Sequence, residues 1–450
     1  MQRYFLISEN GNPSFLITGI EYKIFPDLGF NPVPVSILVI LIKILLMRIT
    51  HAGFLFITGF ILYGCNNPKN TGEVPVVVDT IVKVTEPVVN IPLTDSGNFY
   101  KRMVGTVAGK PVVLNLQRAG HQFSGIYYFT QVGSFIELGP ASPENKKAGD
   151  SIVLEEFTSE KFDNRNEQPS LPCKWIFTYA SHAIEGVWMD AHGNRYPLAL
   201  REQYDLTSYT FNVLSYSDSA RLFPGHKNSS QAHTREDFVI PAGNYSAGTW
   251  LNTEIMKMLD DTYKSTMALS YDSLINRIHH SFFTDYHEQG KNLDEKEAES
   301  LTYMNYDLEQ NIKIYWNDKS YLVLSHFGYS YAGGAHGNYG ATFYCYNVAE
   351  KKRMRLSDIT SADTLLLQKL LEENFKKRAG LKPNEKLNTI LFDNFLKPNK
   401  NFYFSGNELI FSYQPYEIAA YVNGQIDIGI PFTDLKGYLN PIFQKRMGLP

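Results

Sequence analysis

Short segments that alternate apolar and polar side chains fill residues 98–205, with turn residues between them. Val-Val-Leu-Asn-Leu at 112–116 and Phe-Ser-Gly-Ile-Tyr-Tyr-Phe at 123–129 are rich in β-branched and aromatic residues, as strands are. The same pattern returns at 175–179 and 184–188. Short strands at this close spacing predict a small antiparallel meander or barrel over residues 98–205.

Two hairpins within this segment resemble each other residue by residue. Residues 119–127 (Ala-Gly-His-Gln-Phe-Ser-Gly-Ile-Tyr) align with residues 180–188 (Ala-Ser-His-Ala-Ile-Glu-Gly-Val-Trp), which indicates one repeated hairpin. The glycine shared by both copies predicts a strand bend or an aromatic ring packed over bare backbone. The shared histidines, His121 and His182, are expected in solvated turns rather than on a metal.

Apolar residues change to helical spacing after a polar stretch at residues 206–245, which we interpret as the domain boundary. The spacing predicts helices at 253–263 and 269–283, and a further helix at 361–377 that stops near Gly380. Aromatic and β-branched runs predict strands around and between the helices. These strands lie at residues 301–307, 312–316, 321–331, 339–348, 402–404, 409–413 and 425–430.

The complete pattern predicts an α+β protein. A small antiparallel β meander or barrel at 98–205 comes first, and an α+β domain with an antiparallel sheet and a few helices follows at 235–445.

The first 97 residues show the features of targeting and tethering. The apolar runs at 36–46 and 53–64 are each too short to span a bilayer. A start at Met47 instead gives a basic residue, an apolar region and Leu-Tyr-Gly-Cys, which resembles a bacterial lipobox. We therefore expect residues 1–46 to be an extension from a wrongly chosen start codon and residues 47–64 to be a lipoprotein signal peptide.

Cys65 is then the lipidation site, and residues 65–97, rich in Pro, Val and Thr, form an extended tether to the membrane. The alternative is a membrane hairpin or anchor across residues 36–64, which Lys43, Arg48 and His51 interrupt.

Charge and motifs exclude several classes of function. The 42 basic and 46 acidic residues give a net charge of −4 with mixed signs, so no nucleic-acid partner is expected. No P-loop, dinucleotide fingerprint, GxSxG or HExxH motif is present, so we predict no cofactor and no catalytic residues. Cys173 and Cys345 are either a disulfide pair or two buried thiols.

A histidine-rich stretch raises the question of a metal site. His279, His280 and His287 lie near Asp285 and Glu288. On a helix, residues 279 and 287 are about two turns apart, too far for adjacent ligands. We therefore predict no metal site.

A Gly-rich stretch at residues 325–344 stands between two aromatic runs and predicts two strands joined by a loop of small residues. Tyr-Ala-Gly-Gly-Ala-His-Gly-Asn-Tyr-Gly at 331–340, with Leu-Ser-Asp at 356–358, resembles a domain of unknown function. That domain is shared by the extracellular half of the lysozyme-sensing anti-sigma factor RsiV and the N-terminal part of the peptidoglycan deacetylase PdaC. A second matching segment is residues 409–421, and the resemblance covers about 235–440.

The resemblance implies a non-catalytic binding module of the cell envelope, lipid-anchored on the non-cytoplasmic side of a bacterial membrane. Its partner would be a lysozyme-like protein or peptidoglycan. His336 is expected to bond the loop backbone rather than act in catalysis. Alternatives are a cell-wall polysaccharide-modifying enzyme or its accessory subunit, and a small-ligand carrier that uses the β domain. The predicted binding surface consists of Tyr329, Tyr331, His336, Tyr339, Tyr413, Tyr416 and Tyr421.

Overall fold

The computed structural model describes residues 97–140, 151–157, 172–180 and 182–450, which belong to the same unit of the chain. The predicted extension, signal peptide, Cys65 and nearly all of the tether lie outside the described residues. No helix in the described ranges is both long enough and apolar enough to cross a membrane.

A closed antiparallel barrel forms the first part of the described chain, as the alternating pattern predicts. It closes where β1 pairs with β8. Inward-facing side chains such as Leu114, Tyr127 and Trp175 are fully buried and fill the interior, which leaves the carrier alternative without support in these strands. The strands are β1 (Phe99–Val107), β2 (Lys110–Ala119), β3 (Gln122–Phe129), β4 (Ile136–Pro140), β5 (Ile152–Phe157), β6 (Lys174–Ala180), β7 (Ala183–Met189) and β8 (Arg195–Glu202).

The two similar segments form equivalent hairpins, β2–β3 and β6–β7, whose strands pair in the same register. The shared glycine reflects a close approach between strands. A Cβ added at Gly186 would lie 2.1 Å from the carbonyl oxygen of Ile176, so no side chain fits there. His121 and His182 both lie exposed in the turns, as expected.

A six-stranded sheet forms the second part, in the order β14-β13-β12-β11-β10-β9. Its neighbours are antiparallel except β10 and β11, which are parallel. The chain between these two strands, residues 243–305, carries two helices, because parallel neighbours need a long crossover. The strands are β9 (Thr210–Arg221), β10 (Gln231–Ala242), β11 (Tyr306–Asp318), β12 (Tyr321–Tyr331), β13 (Asn338–Asn347) and β14 (Lys352–Arg353).

Two local predictions in this region are wrong. The polar stretch at 206–245 contains two long paired strands, β9 and β10, rather than a boundary. It looks polar because the second half of β9, on the sheet edge, is largely exposed. The predicted strand at 301–307 begins only at Tyr306, since Leu301 and Met304 turn inward to pack beside Tyr286.

Helices α1 (Gly248–Leu259) and α2 (Tyr271–Gly290) cover one face of this sheet. The Ser270 side chain caps α2 by accepting a hydrogen bond from the backbone N–H of Ser273. Buried residues from both helices, including Leu251, Ile255 and Leu274, pack against Phe238, Ile312 and Leu324 of the sheet.

A small three-stranded antiparallel sheet and two more helices complete the fold. Gly380 follows the third helix with a left-handed φ of 64°, as the predicted stop signal requires. The short C-terminal helix was not predicted, although Asn440 and Pro441 supply its N-cap and first turn. The elements are α3 (Thr364–Arg378), β15 (Phe402–Phe404), β16 (Glu408–Tyr413), β17 (Ile426–Pro431) and α4 (Pro441–Met447).

A buried polar seam joins the barrel to strand β11. The Asn317 amide donates to the Tyr100 hydroxyl at 2.9 Å, and this hydroxyl donates to Asn115 Oδ1 at 2.8 Å. Asn115 Nδ2 donates in turn to the Tyr315 carbonyl at 3.0 Å, and Arg102 Nε donates to the Asn317 carbonyl at 3.1 Å. Because these groups are buried, each bond is costly to lose, and together they fix the barrel on the sheet.

We predict that Asn317→Ala destabilises the protein by about 3 kcal/mol, because the Tyr100 hydroxyl oxygen loses its donor and both backbone groups of Tyr209 lose their side-chain partner. Chemical denaturation measures the change in the free energy of unfolding. Asn384→Ala is the matched control, since Asn384 is exposed. Equal effects of the two variants would contradict a stabilising role for the seam.

Candidate functional site

Part of the sheet face opposite the helices is polar, whereas the rest of this face packs against the three-stranded sheet. Strand register places side chains in rows across this face. One row runs Arg235, Glu309, Tyr329 and Tyr339, from β10 to β13. The next row contains Asp237, Asn311, Phe327 and Ala341.

This polar face forms the floor of a cleft of about 610 Å³. The barrel contributes Phe135 and Glu137, and the three-stranded sheet contributes Tyr403 and Asp427. Three parts of the fold therefore meet around one cavity, as is common for ligand sites.

Asp427 lies in the cleft and is held by two side chains of the three-stranded part. It accepts hydrogen bonds from the Tyr403 hydroxyl at 3.1 Å and from Gln425 Nε2 at 3.4 Å. Burial raises the pKa of Asp427 above its ordinary value, and the negative charge of Glu137 raises it further. The ionised form of Asp427 is therefore energetically unfavourable in the folded protein.

Glu137 faces Asp427 from the barrel and also has protein partners. The Tyr315 hydroxyl donates to one of its oxygens, and Lys313 Nζ lies 3.7 Å from the other. Tyr315 is itself buried against Tyr403 and Phe343. The barrel is therefore connected to the sheet across the cleft as well as at the seam.

Two acceptor atoms on the floor have no donor in the described part of the chain. Asp237 is 6% exposed, and its Oδ2 accepts from Arg235 Nε at 2.7 Å. Its Oδ1, and Oδ1 of the neighbouring Asn311, are buried and have no hydrogen-bond partner among the described residues. Buried acceptors without donors are uncommon in folded proteins, so this pair marks a place of unmet bonding capacity.

The predicted aromatic residues form a cluster beside the cleft. The His336 ring stacks on Tyr421 with centroids 3.9 Å apart, and Tyr421 contacts Tyr416 at 5.4 Å and Tyr339 at 5.7 Å. Tyr339 also lines the cleft. We call Tyr339, His336, Tyr416 and Tyr421 the aromatic rim.

The loop backbone sets the positions of the rim residues. His336 Nδ1 lies 2.9 Å from the Gly337 carbonyl, to which it donates, so the histidine bonds the loop backbone as expected. The Tyr421 hydroxyl donates to the same carbonyl at 2.7 Å. A Cβ at Gly337 would lie 2.4 Å from the Tyr329 ring, so glycine is required for this packing.

Side chains of the three-stranded part hold the hairpin from its other edge. Gln425 Oε1 accepts from the Ala341 backbone N–H at 2.8 Å, while Gln414 Nε2 donates to the Ala341 carbonyl at 2.7 Å. Asn401 Oδ1 accepts from the Phe343 N–H at 2.8 Å. These bonds satisfy backbone N–H and C=O groups of β13 along the part of the strand that does not pair with β14.

Three of the seven predicted surface residues lie outside the rim: Tyr331, Tyr413 and Tyr329, whose ring packs against Gly337. Tyr413 is 1% exposed and donates to the Lys397 carbonyl at 2.8 Å, so its prediction as a surface residue is wrong. Its place in β16 turns the ring into the core. Tyr331 instead donates to the Gly334 carbonyl at 3.0 Å and braces the loop.

Glu137, Asp237, Asn311 and Asp427 were not identified from the sequence. A signal was present in β11, where Glu309, Asn311 and Lys313 put polar side chains on every second position. Such alternation marks one face of a strand as polar, but it does not show what faces it.

The histidine-rich stretch has other partners. His279 Nε2 lies 2.7 Å from the buried Glu236 carboxylate. His287 contacts the carbonyl oxygens of Phe283 and Arg221. Within the described ranges, no group of three His, Cys, Asp or Glu side chains is placed to hold a metal ion. Cys173 and Cys345 are free thiols, which resolves the disulfide alternative.

These features define an α+β protein with a barrel and a polar cleft. Two of its segments match known families. Residues 237–339 match the family described as Deacetylase PdaC. Residues 357–433 match the family described as Protein of unknown function (DUF3298). The resemblance noted in the Gly-rich stretch is thereby confirmed.

Two crystal structures are similar to part of the chain. A member of the DUF3298 family from Bacteroides fragilis is 20% identical in sequence to this chain, with a TM-score of 0.48. The aligned region covers 53% of this chain and 98% of the Bacteroides fragilis chain. A DUF3298 family protein from Pseudomonas aeruginosa is 14% identical in sequence to this chain, with a TM-score of 0.38. The aligned region covers 54% of this chain and 99% of the Pseudomonas aeruginosa chain. The comparison with curated proteins gives no match.

We predict that Asp427→Asn changes how stability depends on pH. Because the pKa of Asp427 is raised in the folded state, the unfolded chain loses this proton first, and stability falls as pH rises through that interval. The variant lacks this contribution, so as pH rises above about 4, the ordinary pKa of an aspartate, it should lose less stability than the unmodified protein. Thermal unfolding at several pH values measures this.

Asp434→Asn is the control, because Asp434 is exposed and does not line the cleft. Its profile should follow that of the unmodified protein. Parallel profiles for Asp427→Asn and the unmodified protein would show that burial does not penalise the Asp427 charge.

Proposed function

We propose that this protein is a non-catalytic binding module of the bacterial cell envelope, and that its cleft binds a glycan of the peptidoglycan type. The observation that carries the proposal is the cleft of about 610 Å³, which combines carboxylate and amide side chains with aromatic rings. This volume is within the usual range for small-ligand sites, about 300–1,000 Å³.

The chemistry of the cleft suits a sugar. Sugar hydroxyls donate and accept hydrogen bonds, and the cleft presents polar groups of both kinds, such as Glu309, Asn311 and Gln425. Sugar rings also have apolar C–H faces, which pack on aromatic side chains such as Tyr339 and Phe135. Both kinds of surface line the same cavity.

Placement in the cell envelope is supported by the match of residues 237–339 to the family described as Deacetylase PdaC. The lipid anchor on Cys65 and the signal peptide at 47–64 belong to the proposal, on the strength of the lipobox-like sequence.

Binding rather than turnover is proposed because protein groups already occupy the oxygens of two cleft carboxylates. Asp427 accepts hydrogen bonds from Tyr403 and Gln425, and Glu137 accepts one from Tyr315 and forms an ion pair with Lys313 at 3.7 Å. A general acid or base must instead reach the reacting group of its substrate.

We predict that Tyr339→Ala weakens glycan binding about tenfold, which corresponds to about 1.4 kcal/mol, because it removes a ring shared by the cleft and the rim. Titration calorimetry with soluble muropeptides and chito-oligosaccharides measures the affinity. The recovered glycan is then analysed by mass spectrometry and should be unchanged.

Tyr438→Ala is the matched control, since Tyr438 is 46% exposed and does not line the cleft. Absence of any glycan binding by the unmodified protein would refute the proposal. Cleavage or deacetylation of the glycan would favour an enzyme instead.

An exposed apolar patch favours a second candidate, a lysozyme-like protein partner. Tyr416 and Val422 are 53% and 82% exposed, and Phe392 and Phe395 are 55% and 45% exposed. The two segments are neighbours, because the Phe392 N–H donates to the Ile418 carbonyl at 2.8 Å. Exposed apolar patches of this kind often mark protein-binding surfaces.

For this candidate we predict that Val422→Glu weakens binding of lysozyme at least tenfold and leaves glycan binding unchanged, because it puts a charge in an apolar contact. Surface plasmon resonance measures the affinity. Leu365→Glu on α3, which alters a residue that is 77% exposed, is the matched control. If lysozyme does not bind, or if both variants weaken it equally, the patch is not its docking site.

A further inference from the structure

We infer that the cleft holds a protonated amino group of its ligand, between Asp237 and Asn311 on the floor and Glu309 at the mouth. The inference rests on the proposed function and narrows it: the preferred ligand carries free amines rather than acetylated ones. The amine has two possible sources, a glucosamine unit of the glycan or the side-chain amine of a diamino acid in the peptide stem.

The first observation is the pair of acceptors without donors. Asp237 and Asn311 are directly paired across the parallel strands β10 and β11, and both line the cleft. Oδ1 of each side chain is buried without a hydrogen-bond partner in the part of the chain that the structure describes. Side-by-side acceptors call for a ligand that donates to both.

The second observation is the balance of charge. Four carboxylates line the cleft (Glu137, Asp237, Glu309 and Asp427) against two basic side chains, Arg235 and Lys313. Each basic group already faces an acid, Arg235 at 2.7 Å from Asp237 and Lys313 at 3.7 Å from Glu137. The remaining negative charge is compensated by a cationic ligand.

An ammonium group meets both requirements. It carries a positive charge and three N–H donors and has no acceptor, so it complements the two neighbouring Oδ1 atoms of Asp237 and Asn311. An acetamide has one N–H donor and a carbonyl oxygen, and that oxygen would face carboxylates rather than donors. A free amine is therefore preferred to its acetylated form.

The titration behaviour of the carboxylates agrees with this geometry. Partial desolvation raises the pKa of Glu309, with the Arg235 charge opposing it, and burial raises the pKa of Asp427. An ammonium ion beside them would favour their ionised forms and lower both pKa values. Ligand binding should consequently release protons to the buffer.

The amine position is compatible with a sugar on the rim. Glu309 and Tyr339 lie in the same row, two strands apart, which is about 10 Å across the sheet. One oligosaccharide can then stack on Tyr339 and place an amine near Glu309, Asp237 and Asn311. The aromatic ring supplies contact area, and the acidic floor supplies selectivity.

The test compares fully deacetylated and fully N-acetylated chitotetraose by titration calorimetry with the full chain. We expect the deacetylated form to bind at least tenfold more tightly. A muropeptide with a free diamino-acid side chain, and the same muropeptide with that amine acetylated, form the second arm. A preference for the free amine in either arm supports the inference and identifies the source.

Three substitutions test the residues. Asp237→Asn and Glu309→Gln should each bring the ratio of the two affinities close to one, and Asp434→Asn should keep the ratio of the unmodified protein. Asn311→Asp keeps the acceptor and adds charge, so it should raise the preference for the amine. Because Glu309 is exposed, its variant remains informative if Asp237→Asn fails to fold.

Several results would overturn the inference. Equal affinity for free and acetylated ligands would refute the amine site while leaving glycan binding intact, whereas no binding in either arm would refute the proposed function itself. Calcium ions that bind the cleft and compete with the amine would show an ordinary cation site. Loss of stability in Asn311→Asp with an unchanged ratio would show that the Asn311 amide donates to Asp237.

Discussion

The buried seam between the barrel and strand β11 is the constraint on which the rest of the structure depends. Tyr100, Asn115 and Asn317 each use polar atoms that water cannot reach, so the bonds form only when barrel and sheet meet in one register. Tyr128 stacks on Trp316 beside the seam with centroids 5.1 Å apart and adds apolar contact. The hydrogen bonds fix the orientation of the barrel on the sheet, and the stacked rings add buried apolar area. Together they hold the barrel at one end of the sheet.

The cleft follows from this arrangement. The barrel covers one end of the polar sheet face, and the three-stranded sheet covers the other side. The three-stranded part also contacts the barrel, because the Gly406 N–H donates to the Gly133 carbonyl at 3.2 Å. The floor between them stays open. It carries carboxylates, whose charge would be unfavourable if apolar residues covered them. Asp427 and Glu309 have raised pKa values because the surroundings remove water without enough positive charge in return. Such unfavourable placement is typical of sites that are completed by a ligand.

The aromatic rim depends on the same small sheet. Gln414 and Gln425 bond the backbone of β13, and Tyr421 bonds the Gly337 carbonyl, so the loop and the three-stranded part hold each other. The glycines of the loop allow this because their backbone can be approached closely by rings and amides. His336 is therefore a packing residue of the rim, held by Tyr421 and by its own loop.

The sequence by itself determined the elements and the class of fold, because strand and helix periodicity depend on neighbours a few residues apart. The barrel, the helices α1 to α3, the Gly-rich hairpin and the family resemblance all carry such local signals. Tertiary structure alone decided which residues share the cleft, since Glu137, Asp237, Asn311 and Asp427 come from distant strands that only pairing and packing bring together. The same reason explains Tyr413, which is aromatic and lies close in sequence to the rim but belongs to the core. Its burial depends on which face of its strand the side chain occupies, not on its residue type.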